Sequence, residues 1–278
     1  MQIATHSGVT QILDRFGIKP RKSLGQNFLT DQHVLGKIIR AANIKKDDSV
    51  LEIGPGIGGL TQALAESAGQ LIAVELDERF VNVLNEMLPH VEVVHSDILK
   101  YAIPGHINKV VANLPYYVTT PIIMHLLENY RLESITVMVQ REVAQRMAGK
   151  PGNKSYGSLS LAVEYHAKAH IAANVPPNCF IPRPKVGSCV VHMDVLSEPP
   201  VTSDKQALFA NIRAGFGQRR KTLVNGLYSA ELYPDLSKGE LAEIMARSGL
   251  SENVRGEELT LEDWARLTGR LNKVQVDD

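Results

Sequence analysis

Between residues 30 and 140, short apolar runs and amphipathic stretches alternate, and this pattern restricts the chain to very few folds. "TDQHVLGKIIRAANI" offers a cap at Thr30 or Asp31 and then repeats apolar residues at helical spacing. "DSVLEIGPG" reads as a buried strand running into glycines. "GLTQALAESAG" is helical, "QLIAVELD" a strand, "ERFVNVLNEML" a helix and "VEVVHSD" a third strand. "NKVVANLP" is a fourth strand, "TTPIIMHLLENY" a helix with proline in its first turn, and "SITVMVQ" a fifth strand. Strands too apolar to face water on either side, each followed by a helix, predict βαβ units and a parallel sheet covered on both faces.

After residue 150 the pattern changes. "SYGSLSLAVEYHA" is helical, and "AHIAANV" and "GSCVVHMDV" are strands separated by the proline-rich "PPNCFIPRPK", which predicts an antiparallel pair at the sheet edge. "SEPPVTSD" has linker composition. From residue 204 onward only helical patterns follow, so we expect one domain over 1–199 and a small helical domain over 200–278. The chain has 278 residues and 44% hydrophobic content, enough for a substantial core.

Thirty basic residues balance thirty acidic ones, so any nucleic-acid site must be a local patch. Cys179 and Cys189 form no metal-ligand or redox spacing and read as buried thiols; no metal is expected. The N-terminus lacks a leader pattern, and no run reaches about 18 apolar residues. We expect a cytoplasmic protein with no membrane segment.

Gly54, Gly56, Gly58 and Gly59 follow a strand and precede a helix, so the backbone can turn sharply and expose helix-terminal amides to a ligand. Glu75, about 20 residues on, ends the next strand where ribose hydroxyls would lie. A dinucleotide and S-adenosylmethionine both fit that pair. Asp97, just past the third strand, can accept a hydrogen bond from an exocyclic adenine amine; the plainer alternative is the cap of a short turn, which needs no ligand.

"NLPY" at the end of the fourth strand has no use in a dehydrogenase but suits methylation of an exocyclic amine. Such a nitrogen is planar and poorly nucleophilic because its lone pair is delocalised into the ring. The Asn113 side-chain oxygen and the Leu114 backbone carbonyl can each accept one of its hydrogens, localising the lone pair toward an incoming methyl group. Pro115 stiffens the turn, and Tyr116 can stack on an extruded base. Tyr117 could pack or touch substrate. The plainer alternative is a strand ending in an Asn-Leu-Pro turn with tyrosines plugging the core.

Seven ordered motifs, "RKSLGQNFLTD", "LEIGPGIGGLT", "VELD", "SDIL", "NLPYYVTTPI", "FIPRPKVGS" and "FGQRRKTL", resemble the small-subunit ribosomal RNA adenine N6,N6-dimethyltransferases across nearly the whole chain. The same superfamily includes antibiotic-resistance rRNA methylases and mitochondrial transcription-factor relatives. "QRRKTL" looks more like the dimethylase branch. The resemblance implies a Rossmann-like α/β methyltransferase with a mainly parallel seven-stranded sheet and a C-terminal helical domain. It implies that Asn27 and Leu29 close over S-adenosylmethionine, Gly54 and Gly56 lie against it, Glu75 holds the ribose, Asp97 the adenine, and Asn113 meets cofactor and target amine. It further implies that Phe180 provides a second aromatic against the flipped base.

The implied substrate is a pair of adjacent adenines in a hairpin loop near the 3′ end of 16S rRNA, within a pre-30S particle, and the enzyme would act as a monomer. Arg21 and Lys22, Arg183 and Lys185, and Arg219, Arg220 and Lys221 at a helix start are candidate phosphate contacts. Each cluster could also be a solvated charged face. A relative that kept the fold as an RNA-binding factor without catalysis is a further alternative, against which intact Asn113, Pro115 and Tyr116 argue.

Overall fold

The computed structural model describes residues 1–21 and 25–276, with side chains to residue 273. It separates into two compact units, one of residues 1–144 and 167–197 and one of residues 145–166 and 198–278. The first is built on a seven-stranded sheet. Its strands are β2 (Ser49–Ile53), β3 (Gln70–Glu75), β4 (Glu92–His95), β5 (Lys109–Asn113), β6 (Ser134–Gln140), β7 (Ala167–Val175) and β9 (Ser188–Val195), in the spatial order β4-β3-β2-β5-β6-β9-β7. The first five in that order are parallel, and β9 runs antiparallel to both β6 and β7. A two-residue strand β1 (Phe28–Leu29) pairs antiparallel with β8 (Phe180–Ile181).

Helices α3 (Gly59–Ser67), α4 (Glu78–Met87) and α5 (Thr119–Asn129) are crossovers of the kind that parallel pairing demands, and α2 (Gln32–Ala42) precedes the first strand of the sheet, β2. Of the two cap candidates for α2, Asp31 serves: its carboxylate accepts from the backbone N–H groups of His33 and Val34 at 2.9 and 3.0 Å. A helix that the alternation from residue 30 does not cover, α1 (His6–Arg15), starts at the Thr5 cap. It buries Val9, Ile12 and Leu13, a one-sided stripe in the same cluster as Phe80, Val83 and Leu84 of α4.

The second unit contains the last turn of α6 (Arg141–Met147) and all of α7 (Ser158–His166), α8 (Lys205–Gly217), α9 (Leu223–Ser229), α10 (Lys238–Arg247) and α11 (Leu261–Val276). A single boundary at residue 199 therefore does not describe this division, because residues 145–166 pack with the C-terminal helices. Tyr156, Leu161 and Tyr165 share one apolar cluster with Leu208, Leu241 and the fully buried Trp264. Tyr156 also donates from its hydroxyl to the Leu259 carbonyl at 2.8 Å. Emptying a site as large as that of Trp264 typically costs about 3–5 kcal/mol, so this cluster stabilises the unit.

Candidate active site

In the first unit the chain leaves β2 toward β3 and β4, then returns to place β5 on the other side of β2. Loops leaving the carboxyl ends of β2 and β5 must part there, and such a reversal leaves a crevice. A cavity of about 800 Å³ fills that position. Its walls include Arg21, Asn27, Leu29, Gly54, Gly56, Glu75, Asp97 and the run from Asn113 to Tyr116.

Gly54 and Gly56 have φ of 66° and 57°, values that L side chains rarely adopt, so the turn from β2 to α3 requires glycine at both. A Cβ added at Gly54 would meet nothing within 4 Å, so the backbone there faces open space. The Gly56 N–H donates to Glu75 Oε2 at 3.0 Å, and the Asp77 N–H to Glu75 Oε1 at 2.8 Å. Burial pushes the Glu75 carboxyl up, and the hydrogen bonds from the backbone of Asp77, Gly56 and Leu76 only partly oppose that shift.

Farther along the sheet, Asp97 Oδ1 accepts from the Leu99 N–H at 3.0 Å, which leaves Oδ2 for a donor in the cavity. The turn-capping role and the ligand role are therefore compatible. Leu76, Leu99 and Tyr117 are three of the few large apolar side chains that stand exposed, and all three line this cavity. Apolar surface gathered at a cleft suits a flat, weakly hydrated ligand such as a nucleobase.

At the end of β5 the side-chain amide of Asn113 donates from Nδ2 to the Asn27 backbone carbonyl at 3.1 Å. A carbonyl oxygen can only accept, so the NH2 group must face Asn27 and Oδ1 must be the side left as an acceptor. Leu114 is anchored by its N–H on the Met138 carbonyl at 3.2 Å, and its side chain is buried. No hydrogen bond to the Leu114 carbonyl is found among the described residues. The Pro115 carbonyl accepts from Thr119 Oγ1 at 3.0 Å and from the Val118 N–H at 3.3 Å, which fixes the turn into α5. Tyr116 is half-buried, and its hydroxyl lies 2.8 Å from Ser188 Oγ, so the ring is held at its far end.

Other sequence candidates fall elsewhere. Phe180 is 3% exposed, packs with Leu29 and Cys179, and does not line the cavity. Arg183 and Lys185 are exposed on the loop after β8 and are not part of its wall either. Lys22 lies outside the described residues. Arg219, Arg220 and Lys221 belong to the helical unit and precede α9 rather than start it, because Thr222 is its cap and the Lys221 N–H closes a turn on the Gln218 carbonyl. Arg219 is also spent on its own unit: Nε meets Glu257 Oε2 at 2.7 Å, and Nη2 donates to the carbonyls of Lys154 and Tyr156.

The cavity wall includes residues that the motifs did not single out: Gln26, Glu52, Asp77 and Arg79. Glu52 is 1% exposed and its Oε2 has no partner among the described residues. Burial, with the Glu75 charge nearby, pushes its carboxyl up to about 8. The sequence signal was a carboxylate inside the apolar run "VLEI".

Comparison with known proteins agrees with this geometry. The family described as "Ribosomal RNA adenine dimethylase" matches residues 17–273. A "Ribosomal RNA small subunit methyltransferase A" of Lachnoclostridium phytofermentans is 49% identical, covering 95% of each chain. That of Alkaliphilus oremlandii is 45% identical over 98% of this chain and 99% of its own. Among solved structures, a dimethyladenosine transferase from Plasmodium falciparum superposes with a TM-score of 0.76 at 27% identity, covering 88% of this chain and 97% of its own. The 23S rRNA methyltransferase ErmE superposes with a TM-score of 0.70, also at 27% identity, over 88% of this chain and 99% of its own.

Proposed function

The chain belongs to the ribosomal RNA adenine dimethylase family, and from that premise we propose that it methylates N6 of two adjacent adenines in the 3′-terminal hairpin loop of small-subunit rRNA, using S-adenosylmethionine. Two methyl groups per adenine make N6,N6-dimethyladenine. The single observation that carries the chemistry is the Asn113 amide, whose Nδ2 is committed to Asn27 so that Oδ1 is the acceptor beside the Leu114 carbonyl.

The residues present fit the cofactor. Open space before Gly54 can admit the methionine part, Glu75 is placed for the ribose hydroxyls, and Asp97 Oδ2 can accept from the adenine amine. Leu29 and the exposed Leu76 and Leu99 supply apolar wall. When bound, the cofactor supplies an electrophilic methyl group on a sulfonium.

This chain's own residues do the rest. Asn113 Oδ1 and the Leu114 carbonyl accept the two N–H hydrogens of the target amine, raising electron density on nitrogen and aiming its lone pair. Tyr116, held by Ser188, offers a ring face for an adenine taken out of its stack. No catalytic base is required, because the methylated ammonium is strongly acidic and loses its proton to water. After the first transfer one N–H remains, and either acceptor can hold it while the second methyl group arrives.

RNA would be steered by local basic groups rather than by overall charge, which is balanced. Arg21 at the cavity and Arg183, Lys185, Arg220 and Lys221 at exposed positions are the phosphate contacts we assign. No described helix is long and apolar enough to cross a membrane. We assign action as a cytoplasmic monomer on a pre-30S particle.

The experiment is incubation of purified protein with tritiated S-adenosylmethionine and either unmethylated small subunits or large subunits. Label recovered as N6,N6-dimethyladenine in small-subunit RNA is the expected result. Label confined to large-subunit RNA would transfer the assignment to the resistance-type activity, for which the ErmE likeness shows the fold to be adequate.

A further inference from the structure

The Asn113 amide is only as well oriented as the Asn27 carbonyl it donates to, and that carbonyl sits between β1, where the buried Phe28 and Leu29 pair with β8, and the preceding turn. On the side of that turn the anchor is Gln26. The Gln26 Nε2 donates to Asp77 Oδ2 at 3.1 Å, and its Oε1 accepts the Arg21 backbone N–H at 2.7 Å. Neither end of that amide can be reversed, because a carboxylate only accepts and a backbone N–H only donates. Asn27 Nδ2 adds a bond back to the Gly25 carbonyl at 2.9 Å.

Asp77 is itself fixed from three sides. Its N–H donates to Glu75 Oε1 at 2.8 Å, Arg79 Nε meets Oδ1 at 2.9 Å, and Arg79 Nη2 meets Oδ2 at 2.5 Å. Its side chain is 10% exposed, and the Arg79 guanidinium keeps its carboxyl down at about 2, ionised at any pH where the enzyme works. One chain of contacts thus runs from the ribose-side carboxylate Glu75 through Asp77 and Gln26 to Asn27 and the amide of Asn113. Every member lines the same cavity.

We propose that Gln26 and Asp77 are positioning residues for methyl transfer, holding the Asn27 carbonyl so that Asn113 presents Oδ1 rather than Nδ2 to the target amine. This rests on the role given to Asn113 above. With the strut cut, the Asn27 carbonyl shifts and the Asn113 amide loses the acceptor that selects its orientation. A reversed amide would present hydrogens to hydrogens, so turnover falls while Gly54, Glu75 and Asp97, whose own bonds do not pass through Gln26, remain in place to hold most of the cofactor.

The test is single-turnover methylation of small subunits at saturating cofactor and RNA by Gln26→Ala and Gln26→Glu, with cofactor affinity measured by calorimetry on the same preparations. The glutamate variant keeps the side-chain length but sets a carboxylate against Asp77. Expected is a rate lower by about tenfold or more in both, with the cofactor Kd within about threefold of wild type. Unchanged rates in both variants, or rate losses matched by equal losses of cofactor affinity, would overturn the proposal. Wild-type protein in the same assay separates the two levels of argument: if it fails to label adenine in small subunits, the functional reading fails, whereas an active wild type with undiminished Gln26 variants removes only the positioning role.

Discussion

Strands β2 and β5 carry buried or half-buried polar groups near both of their ends, and the two ends treat them differently. At the amino end, Lys109 Nζ contacts Asp48 Oδ2 at 2.7 Å and the Asn43 carbonyl at 2.9 Å. Asn108 donates to Asp48 Oδ1 at 2.8 Å and accepts from the Ser49 N–H at 2.9 Å, and the Lys45 N–H closes the set on Asp48 Oδ2. At the carboxyl end, among the described residues, the buried Glu52 keeps an oxygen without a partner, the half-buried Asn113 uses only its NH2 group, and the half-buried Asp97, past the neighbouring β4, uses only one oxygen. Buried polar groups are expensive unless satisfied. Saturation at one end supports folding, and open valence at the other is the mark of a ligand site.

The largest expected effect breaks the saturated end. Lys109→Met leaves the Asp48 carboxylate buried without its cation, since the two side chains are 8% and 6% exposed. Loss of one partner of such a pair costs roughly 3–5 kcal/mol, to be read from urea unfolding. Burial alone would raise the Asp48 carboxyl, but the bonds from Lys109, Asn108 and Lys45 outweigh it and hold it below its ordinary value. That contribution is present above the ordinary carboxylate value and is lost on acidification through the lowered one, so wild type and variant should converge in acid. Methylation per folded molecule should be unchanged at low temperature. A variant as stable as wild type would mean that the amino end is not the saturated anchor described.

At the open end the sign reverses. The Glu52 carboxyl is raised from 4.5 to about 8, so its favourable contribution is complete below 4.5 and is lost as pH rises toward 8. Glu52→Gln removes the ionisation and should be the more stable protein in alkali, by up to about 5 kcal/mol, with the difference vanishing near pH 4.5. Thermal unfolding of both proteins at pH 5 and pH 9 checks this. A variant destabilised equally at both values would show that Glu52 is a saturated structural group after all.

Asn113→Ala separates the ends by function. Removal of one group aimed at the reacting atoms costs about 10²–10³ in rate, roughly 3–4 kcal/mol of barrier, while folding changes little. Single-turnover rates and unfolding midpoints measured together test it. Equal losses of rate and stability would place Asn113 with Lys109 rather than opposite it.

The same contrast explains what could be read from the sequence. The βα alternation, the glycine turn and "NLPY" are local signals, because dihedral freedom, strand period and the end of a parallel strand are set by neighbours in the chain. Their site residues from Asn27 to Tyr116 therefore gather at one cavity. Phe180 lies between prolines, and nothing local decides whether such an aromatic faces a ligand or the core, where it is found. The recruitment of residues 145–166 into the helical unit depends on Trp264 and Leu259, more than a hundred positions away from Tyr156. Arg219 looks identical to Arg220 in sequence, but its partner Glu257 is 38 residues distant.

That last pair gives the smallest expected effects and the sharpest form of the contrast. Arg219 has its guanidinium tied to one carboxylate and two backbone carbonyls, so Arg219→Ala should destabilise the protein by roughly 1–2 kcal/mol. Arg220 is exposed, with no ion pair among the described residues, so Arg220→Ala should leave stability within about 0.5 kcal/mol. If Arg220 instead contacts a phosphate, its loss releases one fewer counterion on binding, and the dependence of log K on log salt becomes shallower by about 1. Arg219→Ala, compared where it remains folded, should leave that slope unaltered. Filter binding of small-subunit RNA at several salt concentrations, beside urea titrations of both variants, measures each quantity. A slope change in Arg219→Ala, or a stability loss in Arg220→Ala, would show that satisfied and unsatisfied cations in this unit do not divide structure from recognition as the two ends of the sheet do.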